Sequence, residues 1–353
     1  MSALLLVALV LGLLVLRQPV VVILGAVTAY CYAVIGDGEI GWIIVDAWEA
    51  ANRELLLSIP LYVLAGNIMS RGAMATRLIR VSQALTAPVP GGLAIATVLS
   101  CALFAAVSGS GTVTLLAIGA VMYPALVDAG YPRSFALGLL CAGGTLGIII
   151  PPSIPLILYG VMTQTSVTGL FIAGIGPGLL LVTLLVAYSL ARYGRIRTGA
   201  WQRQEIRAAL KSGVWSLFMP VLILGGIYSG YFTATESAAV AVVYAVLVET
   251  LIHRQLGLRD LYAVTGETVR LLGALFPVLM LALSLNMFLT YEQLPETLVR
   301  SMSAWIDSPT MFLVLTNGLL LLVGCLVDIG SAILILAPLL QPLAVAQGID
   351  PIH

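Results

Sequence analysis

Charged side chains are scarce in this sequence of 353 residues, of which 9% are Asp, Glu, Lys or Arg and 60% are hydrophobic. Soluble domains have about a quarter of charged residues, and the mean hydropathy of +1.09 is higher than a soluble fold can hide. The formal net charge is zero, so nothing in the overall charge indicates a nucleic-acid partner. The composition excludes a soluble protein and a nucleic-acid-binding protein, and it favours a chain that spans a lipid bilayer.

Cysteine and histidine are also rare, with four and two residues. The cysteines form no Cys-x-x-Cys pair and lie in apolar segments, which argues against a disulfide framework or a thiolate metal site. His253 lies in a basic stretch and His353 is terminal, so neither is placed to act as the base of a serine hydrolase. An intramembrane hydrolase that uses Ser108 or Ser110 is therefore the less favoured alternative.

Long uncharged runs take the place of the missing charge. Val214–Ile227, Ser237–Val248 and Met311–Leu326 approach or reach the roughly 20 residues that cross a bilayer as a helix. The first apolar run, Ala3–Leu16, lacks the basic start and the cleavage site of a signal peptide, so we expect it to be a retained helix. These runs predict an all-α polytopic membrane protein.

The distribution of Lys and Arg predicts the topology, because loops near spanning segments are richer in these residues on the cytoplasmic side. The densest cluster, Arg192–Lys211, is placed inside, and the net acidic stretch Glu292–Asp307 is placed outside. The acidic segment from residue 37 to residue 54 also falls outside. The remaining basic groups agree with this assignment: Arg17; Arg71, Arg77 and Arg80; Arg133; His253, Arg254 and Arg259. The N-terminus is then outside.

The chain also contains an internal repeat. Ala106–Gly130 aligns with Gly324–Gly348 at an offset of 218 residues, which places Pro124 on Pro342 and Ser110 on Asp328, and the two copies begin on opposite sides of the predicted membrane. Inverted repeats with broken helices are a construction principle of secondary transporters. We predict a first repeat at 1–191, a cytoplasmic basic loop at 192–212 and an incomplete second repeat at 213–353.

Three segments cannot be plain spanning helices. The segment of about 91–129 has Ser108–Gly111 at its middle, where glycines and hydroxyls permit a tight turn, so it is predicted to be a re-entrant hairpin. Its counterpart, about 309–346, turns at Val327–Ser331. In the third segment, a broken helix of about 134–163, Gly143–Gly147 precedes two prolines. Irregular backbone at membrane depth requires burial in protein or a wet cavity.

Motifs along nearly the whole chain resemble the large permease (M) subunit of TRAP transporters, the tripartite ATP-independent periplasmic family. The motifs are Ile59-Pro60-Leu61, Leu64–Asn67, Phe104 with Ser108–Ser110, the run Gly143–Gly160, Leu170-Phe171, Ala173-Gly174, Pro177–Leu180, Gly230–Thr233 and Thr235-Glu236. The resemblance implies an elevator-type importer, not an enzyme, which uses Na+ to carry a small organic acid such as a C4-dicarboxylate across the bacterial inner membrane. It also implies two partners, a small (Q-type) membrane subunit and a periplasmic solute-binding (P-type) protein.

Three departures from the family pattern stand out. Members usually carry a second hydroxyl where Gly111 stands and a proline where Ala234 stands. The repeat also predicts a counterpart of Gly143–Gly160 from about position 361, beyond His353. We therefore expect a C-terminally truncated chain whose second broken helix is missing. A stand-alone ion-coupled carboxylate transporter or exchanger with similar hairpins remains the alternative.

The resemblance and the breaks together indicate candidate sites, because sodium needs hard oxygen ligands from hydroxyls, carboxylates and freed carbonyls. The residues expected to bind sodium are Ser108, Gly109, Ser110, Gly144, Thr145, Asp328, Gly330 and Ser331. Those expected to contact substrate are Ser108, Pro151, Pro152, Ser153 and Asp328. Small residues can also serve close helix packing, and Asp328 can also cap a helix. A carboxylate at membrane depth is costly and normally marks an ion path, which favours the ion site.

Overall fold

The chain folds entirely into helices wherever its structure is described. A computed structural model describes residues 2–36, 38–196, 199–294, 297, 299–300, 308–325 and 327–353, and within these residues there is no strand. The predicted all-α class is confirmed. A bilayer offers the backbone no hydrogen-bonding partners, so a helix, which satisfies its own N–H and C=O groups, is the expected element.

The helices are numbered here in chain order. Those of the first half are α1 (Ser2–Val15), α2 (Val20–Tyr30), α3 (Trp42–Ala51), α4 (Ser58–Arg71), α5 (Met74–Thr86), α6 (Gly92–Ser108), α7 (Gly111–Asp128), α8 (Arg133–Gly144), α9 (Leu146–Ile149) and α10 (Ile154–Thr163). Those of the second half are α11 (Val167–Tyr193), α12 (Arg203–Tyr228), α13 (Ala234–Leu247), α14 (Leu258–Tyr291), α15 (Pro309–Gly324) and α16 (Ile329–Ala346). Short π-helical segments extend α2 to Ile35 and α13 to Ile252, and a 3₁₀ turn, Glu54–Leu57, precedes α4.

Several of these helices have the length and apolarity of membrane spans. In the described part of the chain, six helices meet both conditions, and counting two bent helix pairs as spans raises the number to eight. One pair bends by 66° between α4 and α5, and the other bends by 41° where α10 follows the break after Ile149. The protein is polytopic, as its apolar runs predicted.

Two long helices begin earlier than the sequence predicts. α12 begins at Arg203, inside the predicted basic loop of 192–212. α14 begins at Leu258 and ends at Tyr291, whereas the apolar run predicts a crossing of about Leu271–Leu289. The early start of α12 has a packing reason, because Ala209 is fully buried in a cluster with Val81 of α5. A polar stretch can thus be helical when one of its faces covers a neighbouring helix.

The 218-residue repeat is also visible in the helix boundaries. Ile329 lies 218 residues after Gly111, and Ala346 lies 218 residues after Asp128, so α16 has the same bounds as α7 in repeat numbering. Each helix contains a proline at the equivalent place, and the glycine two residues after the helix has a positive φ in both copies. The two helices therefore have equivalent bounds in the two copies of the repeat.

Packing divides the chain into two compact units. Unit 1 comprises the chain up to Leu56, Leu158–Thr165 and the chain from Arg270 onward, and unit 2 comprises Leu57–Ile157 and Ser166–Val269. The turn at Ser108 and the break before α10 lie in unit 2, whereas the turn at Asp328 lies in unit 1. Because each unit draws on both repeats, this division does not test the predicted repeat boundaries.

Candidate functional site

The turn between α6 and α7 is buried in unit 2. α6 ends at Ser108, Gly109 has a φ of 59°, and α7 begins at Gly111. Glycine adopts a positive φ without strain, so Gly109 lets the chain reverse direction. Ser108 is 1% exposed, and its Oγ lies 2.9 Å from Oγ1 of Thr114. A glycine and a pair of hydroxyls therefore shape the turn.

A second break interrupts the chain after α8. The short helix α9 covers Leu146–Ile149, and α10 does not begin until Ile154. Pro151 and Pro152 lie in between and have no N–H to donate, so helical hydrogen bonding cannot continue through them. Both prolines are buried. The break is thus a permanent feature of the backbone.

One hydrogen bond connects the break to the first turn. The N–H of Ile154 donates to the carbonyl oxygen of Gly109 at 3.0 Å. Within the break, Oγ of the buried Ser153 donates to the carbonyl oxygen of Ile148. Buried backbone groups need partners, and these two bonds supply them where the helix is interrupted. Turn and break therefore form one connected structure.

Glycines bring the two backbones into direct contact. A Cβ atom on Gly111 would lie 2.9 Å from the carbonyl oxygen of Gly144, and one on Gly147 would lie 2.8 Å from the carbonyl oxygen of Ser110. Side-chain carbons do not approach oxygen so closely, so any larger residue would force the segments apart. The carbonyl oxygens of Ser110 and Gly144 accordingly face the opposite segment with no side chain in between.

Hard oxygen donors are concentrated at this contact. Ser108 and Ser110 add hydroxyls in the turn, and the exposed Thr145 adds one in the segment before the break. Within the described residues, the Ser110 side chain caps no amide of α7. Oγ1 of Thr145 donates to the carbonyl oxygen of Ala142 at 2.7 Å and keeps its lone pairs. Carbonyl and hydroxyl oxygens at broken helices are the ligands that transporters use for sodium, so this donor set fits that ion.

The turn at Asp328 has a different local structure. Asp328 is the N-cap of α16, where its Oδ2 accepts from the N–H of Ser331 at 3.0 Å and its Oδ1 accepts from the Ser331 hydroxyl at 2.6 Å. Gly330 is buried, and a Cβ there would lie 3.2 Å from Oδ2 of Asp328. The capping role that the sequence left open is therefore present, and the carboxylate retains further lone pairs for a ligand.

The predicted residues fall into two groups. Unit 2 brings together those of the first repeat, which are Ser108, Gly109, Ser110, Gly144, Thr145, Pro151, Pro152 and Ser153. Unit 1 holds Asp328, Gly330 and Ser331. Whether either group binds an ion or a substrate stays a prediction.

Sequence reasoning did not single out two supporting residues. Gly66 of α4 packs on the first turn, since a Cβ there would lie 3.1 Å from Cα of Ser108. In the sequence, Gly66 is noticeable only as part of the Leu64–Asn67 motif. The Thr114 hydroxyl forms a hydrogen bond with the Ser108 hydroxyl. Thr114 lies four residues, about one helical turn, after Ser110, and this spacing could have indicated that its side chain lies near the turn.

Comparison with known proteins identifies the family. The profile described as "Tripartite ATP-independent periplasmic transporter, DctM component" matches residues 7–353. The chain belongs to this family. As a DctM protein it is a transporter and not an enzyme, which excludes the hydrolase alternative. It is a multi-pass protein of the bacterial inner membrane.

Two relatives illustrate the range within the DctM family. The chain is 42% identical over 318 residues to the C4-dicarboxylate TRAP transporter large permease protein DctM of Pseudomonas aeruginosa, a match that covers 88% of this chain and 73% of that protein. It is 33% identical over 347 residues to the isethionate TRAP transporter permease protein DctMQ of Oleidesulfovibrio alaskensis, covering 96% of this chain and 54% of that protein. The chain thus spans about half the length of the second relative.

A solved structure supports the fold. The YdaH transporter of Alcanivorax borkumensis matches with a TM-score of 0.58 over 88% of this chain and 73% of that chain, at 16% sequence identity. At such low identity the likeness concerns the fold alone. The DctM chain therefore shares its arrangement of helices with another membrane transporter.

Proposed function

We propose that this DctM protein is the permease subunit of a sodium-coupled importer of small organic acids. The observation that carries the proposal is the contact in unit 2 between the Ser108–Gly111 turn and the break before α10. There, carbonyl and hydroxyl oxygens of two interrupted helices meet at glycine positions. The carbonyl oxygens of Gly109 and Ser110 each accept one backbone N–H, from Ile154 and Thr114. Each carbonyl oxygen has a second lone pair that a cation can use.

The first sodium ion is assigned to Ser108, Gly109, Ser110, Gly144 and Thr145. Gly109 contributes through its backbone, and its carbonyl oxygen is already an acceptor for the amide of Ile154. A carbonyl oxygen has two lone pairs, so this bond leaves one for an ion. Together, the hydroxyl and carbonyl oxygens of these five residues can supply several oxygen ligands to a sodium ion.

The second sodium ion is assigned to the turn formed by Asp328, Gly330 and Ser331. Asp328 is a capping residue, and capping orients its carboxylate toward the start of α16. A negative charge at a helix N-terminus is stabilised by the helix dipole, and a bound cation would add to this stabilisation. Capping and ion binding are therefore compatible at this residue.

The substrate is assigned to the same turns. Pro151, Pro152 and Ser153 border the first site, because Ile154 directly follows them and bonds to Gly109. The two relatives named above carry C4-dicarboxylates and isethionate, and both are small anions. A small carboxylate is therefore the proposed substrate of this chain.

Two partners belong to the proposal. The name DctMQ joins an M and a Q component in one relative, which supports a small Q-type membrane subunit as the first partner. The words tripartite and periplasmic in the family description support a periplasmic solute-binding protein as the second. The elevator-type movement rests on the family resemblance.

Sodium dependence is the decisive test. The full gene product, reconstituted in liposomes with its small subunit and binding protein, is expected to take up labelled succinate when sodium is high outside. Potassium in place of sodium should abolish uptake. Ser110→Ala should raise the sodium concentration for half-maximal uptake on the order of three- to tenfold, because one oxygen ligand is lost.

The matched control is Ser229→Ala, which removes an exposed hydroxyl at the end of α12. This variant should keep the sodium dependence of the unchanged protein. Equal uptake in sodium and potassium would contradict the proposal. Uptake that needs no binding protein would favour the stand-alone transporter instead.

A further inference from the structure

Unit 1 contains a cavity, lined by both apolar and polar residues, that the turns at Ser108 and Asp328 do not use. Its volume is about 630 Å³, within the range of roughly 300–1,000 Å³ that small-molecule sites occupy. The polar residues that matter here line it from five places in the chain: Arg53, Gln164, Asn286 with Thr290, Arg300 and Gln341. Two arginines thus line the same cavity as several amides and a hydroxyl.

The charge of this cavity is positive. Arg53 and Arg300 each carry a permanent charge, and none of the described residues that line the cavity is Asp or Glu. Glu54 and Glu292 are near in sequence but are not among the lining residues. Arg53 is half-buried, and its Nη1 lies 3.5 Å from the carbonyl oxygen of Val161. Such a cavity attracts and orients anions.

The two arginines are also exceptional in the predicted topology. The chain has 16 Lys and Arg residues, and the positive-inside assignment leaves only Arg53 and Arg300 in outer segments. Both of them line the same cavity. The positive-inside rule disfavours basic residues near spans on the outer face. Two arginines that line one outer cavity are therefore expected to have a function there.

We propose that this cavity is an outer vestibule that binds the carboxylate groups of the substrate before transport. The identity of the anion as a carboxylate rests on the proposed function. Arginine suits this task because its planar fork can bind a carboxylate through two parallel hydrogen bonds. Gln164, Asn286 and Gln341 supply amide groups for the remaining polar atoms of the substrate.

A cysteine reporter in the cavity tests this proposal without any transport measurement. Thr290 lines the cavity and is exposed, so Thr290→Cys offers an accessible thiol. Cys141 and Cys325 are exposed and are replaced by Ser, while the buried Cys31 and Cys101 stay. The rate of thiol modification is compared for an anionic sulfonatoethyl and a cationic trimethylammonium-ethyl methanethiosulfonate at low ionic strength, where screening is weak.

With both arginines present, the ratio of anionic to cationic labelling rates at the cysteine is expected to exceed the ratio measured with a free small-molecule thiol. Arg53→Gln combined with Arg300→Gln should lower the ratio of anionic to cationic rates by on the order of tenfold. The matched variants Arg53→Lys and Arg300→Lys keep the charge and should keep most of the ratio. Succinate should slow the labelling when the arginines are present, whereas its neutral analogue succinamide should not.

Two results would overturn the proposal. A ratio that is the same with arginine and glutamine would show that the cavity exerts no attraction on anions. The second result is a high ratio of anionic to cationic labelling rates that depends on the arginines, with no slowing of labelling by succinate but slowing by the binding protein alone. The arginines would then bind acidic side chains of that partner and not the substrate. Because labelling needs no sodium gradient, a failure here is distinguishable from a failure of the sodium coupling.

Discussion

Asp328 caps α16, and we propose that it also binds sodium. Its carboxylate accepts two hydrogen bonds from Ser331, one from the backbone and one from the hydroxyl. Asn and Asp are about equally good N-caps, whereas only Asp brings a negative charge. Substitution by Asn therefore separates capping from ion binding.

We expect Asp328→Asn to preserve the folded protein and to impair sodium use. The thermal midpoint in detergent should change little, because the cap is retained. The sodium concentration for half-maximal succinate uptake should rise strongly, or uptake should fail, because the charge that offsets the cation is gone. Both quantities are measured on the same reconstituted preparation of the full gene product.

A comparison variant sharpens this experiment. Asp328→Ala removes the cap as well and should lower stability by about 1 kcal/mol. If Asp328→Asn leaves the sodium dependence of uptake unchanged, Asp328 is a cap alone and the second sodium site has been misplaced. The capping role was readable from sequence because it depends on residues three positions apart. An ion site depends on segments far apart in the chain, which one sequence does not place.

The bend between α4 and α5 illustrates this limit at the scale of an element. Two oxygens of Glu249 accept the N–H groups of Ala73 at 3.0 Å and Met74 at 2.7 Å. Glu249 is fully buried, and a Cβ on Gly72 would lie 2.2 Å from its carboxyl carbon. A carboxylate at a helix N-terminus is favourable. The sequence analysis predicted neither this bend nor the residue that caps α5, which is 175 positions away from Met74.

His253 belongs to the same cluster. Its Nδ1 lies 3.4 Å from Oε2 of Glu249, and the side chain is 1% exposed. Burial lowers the pKa of His253, while Glu249 acts in the opposite direction and Arg77 adds to the lowering. Sequence reasoning placed His253 in a basic loop and excluded it as a catalytic base. The structure gives it a packing role beside the cap of α5.

Loss of this cap should destabilise the protein. Glu249→Ala leaves the buried N–H groups of Ala73 and Met74 without their acceptor, at a cost of about 1–3 kcal/mol for each group. We expect the thermal midpoint in detergent to fall clearly. Glu249→Gln keeps one acceptor oxygen and should fall between the unchanged protein and Glu249→Ala.

Glu267→Ala is the matched control for this prediction. Glu267 forms an exposed ion pair with Arg71 at 2.9 Å, and exposed pairs contribute about 0–1 kcal/mol. Its loss should hardly change the midpoint. Equal effects of Glu249→Ala and Glu267→Ala would mean that the buried carboxylate does not hold the bend.

At the scale of the whole molecule, composition and long apolar runs predicted the class of fold because the bilayer leaves few alternatives for the backbone. The observed bounds of α7 and α16 differ by the 218 residues of the repeat, although the sequence had predicted only a hairpin of about 309–346 there. The packing of the helices against one another could not be predicted from the sequence. The contact of Gly111 with the carbonyl of Gly144 depends on which helices become neighbours, and a glycine in an apolar run does not identify the backbone that will approach it.

The membrane topology can be tested with single cysteines. The positive-inside rule places Arg192–Lys211 in the cytoplasm and the segment that begins at Glu292 outside. Gln202 and Glu292 are both exposed, so Gln202→Cys and Glu292→Cys offer accessible thiols, again with Cys141 and Cys325 replaced by Ser. In spheroplasts a membrane-impermeant maleimide should label the cysteine at 292. The cysteine at 202 should react only after lysis, because the bilayer shields it until then. Labelling of both positions from the same side would contradict the inverted repeat.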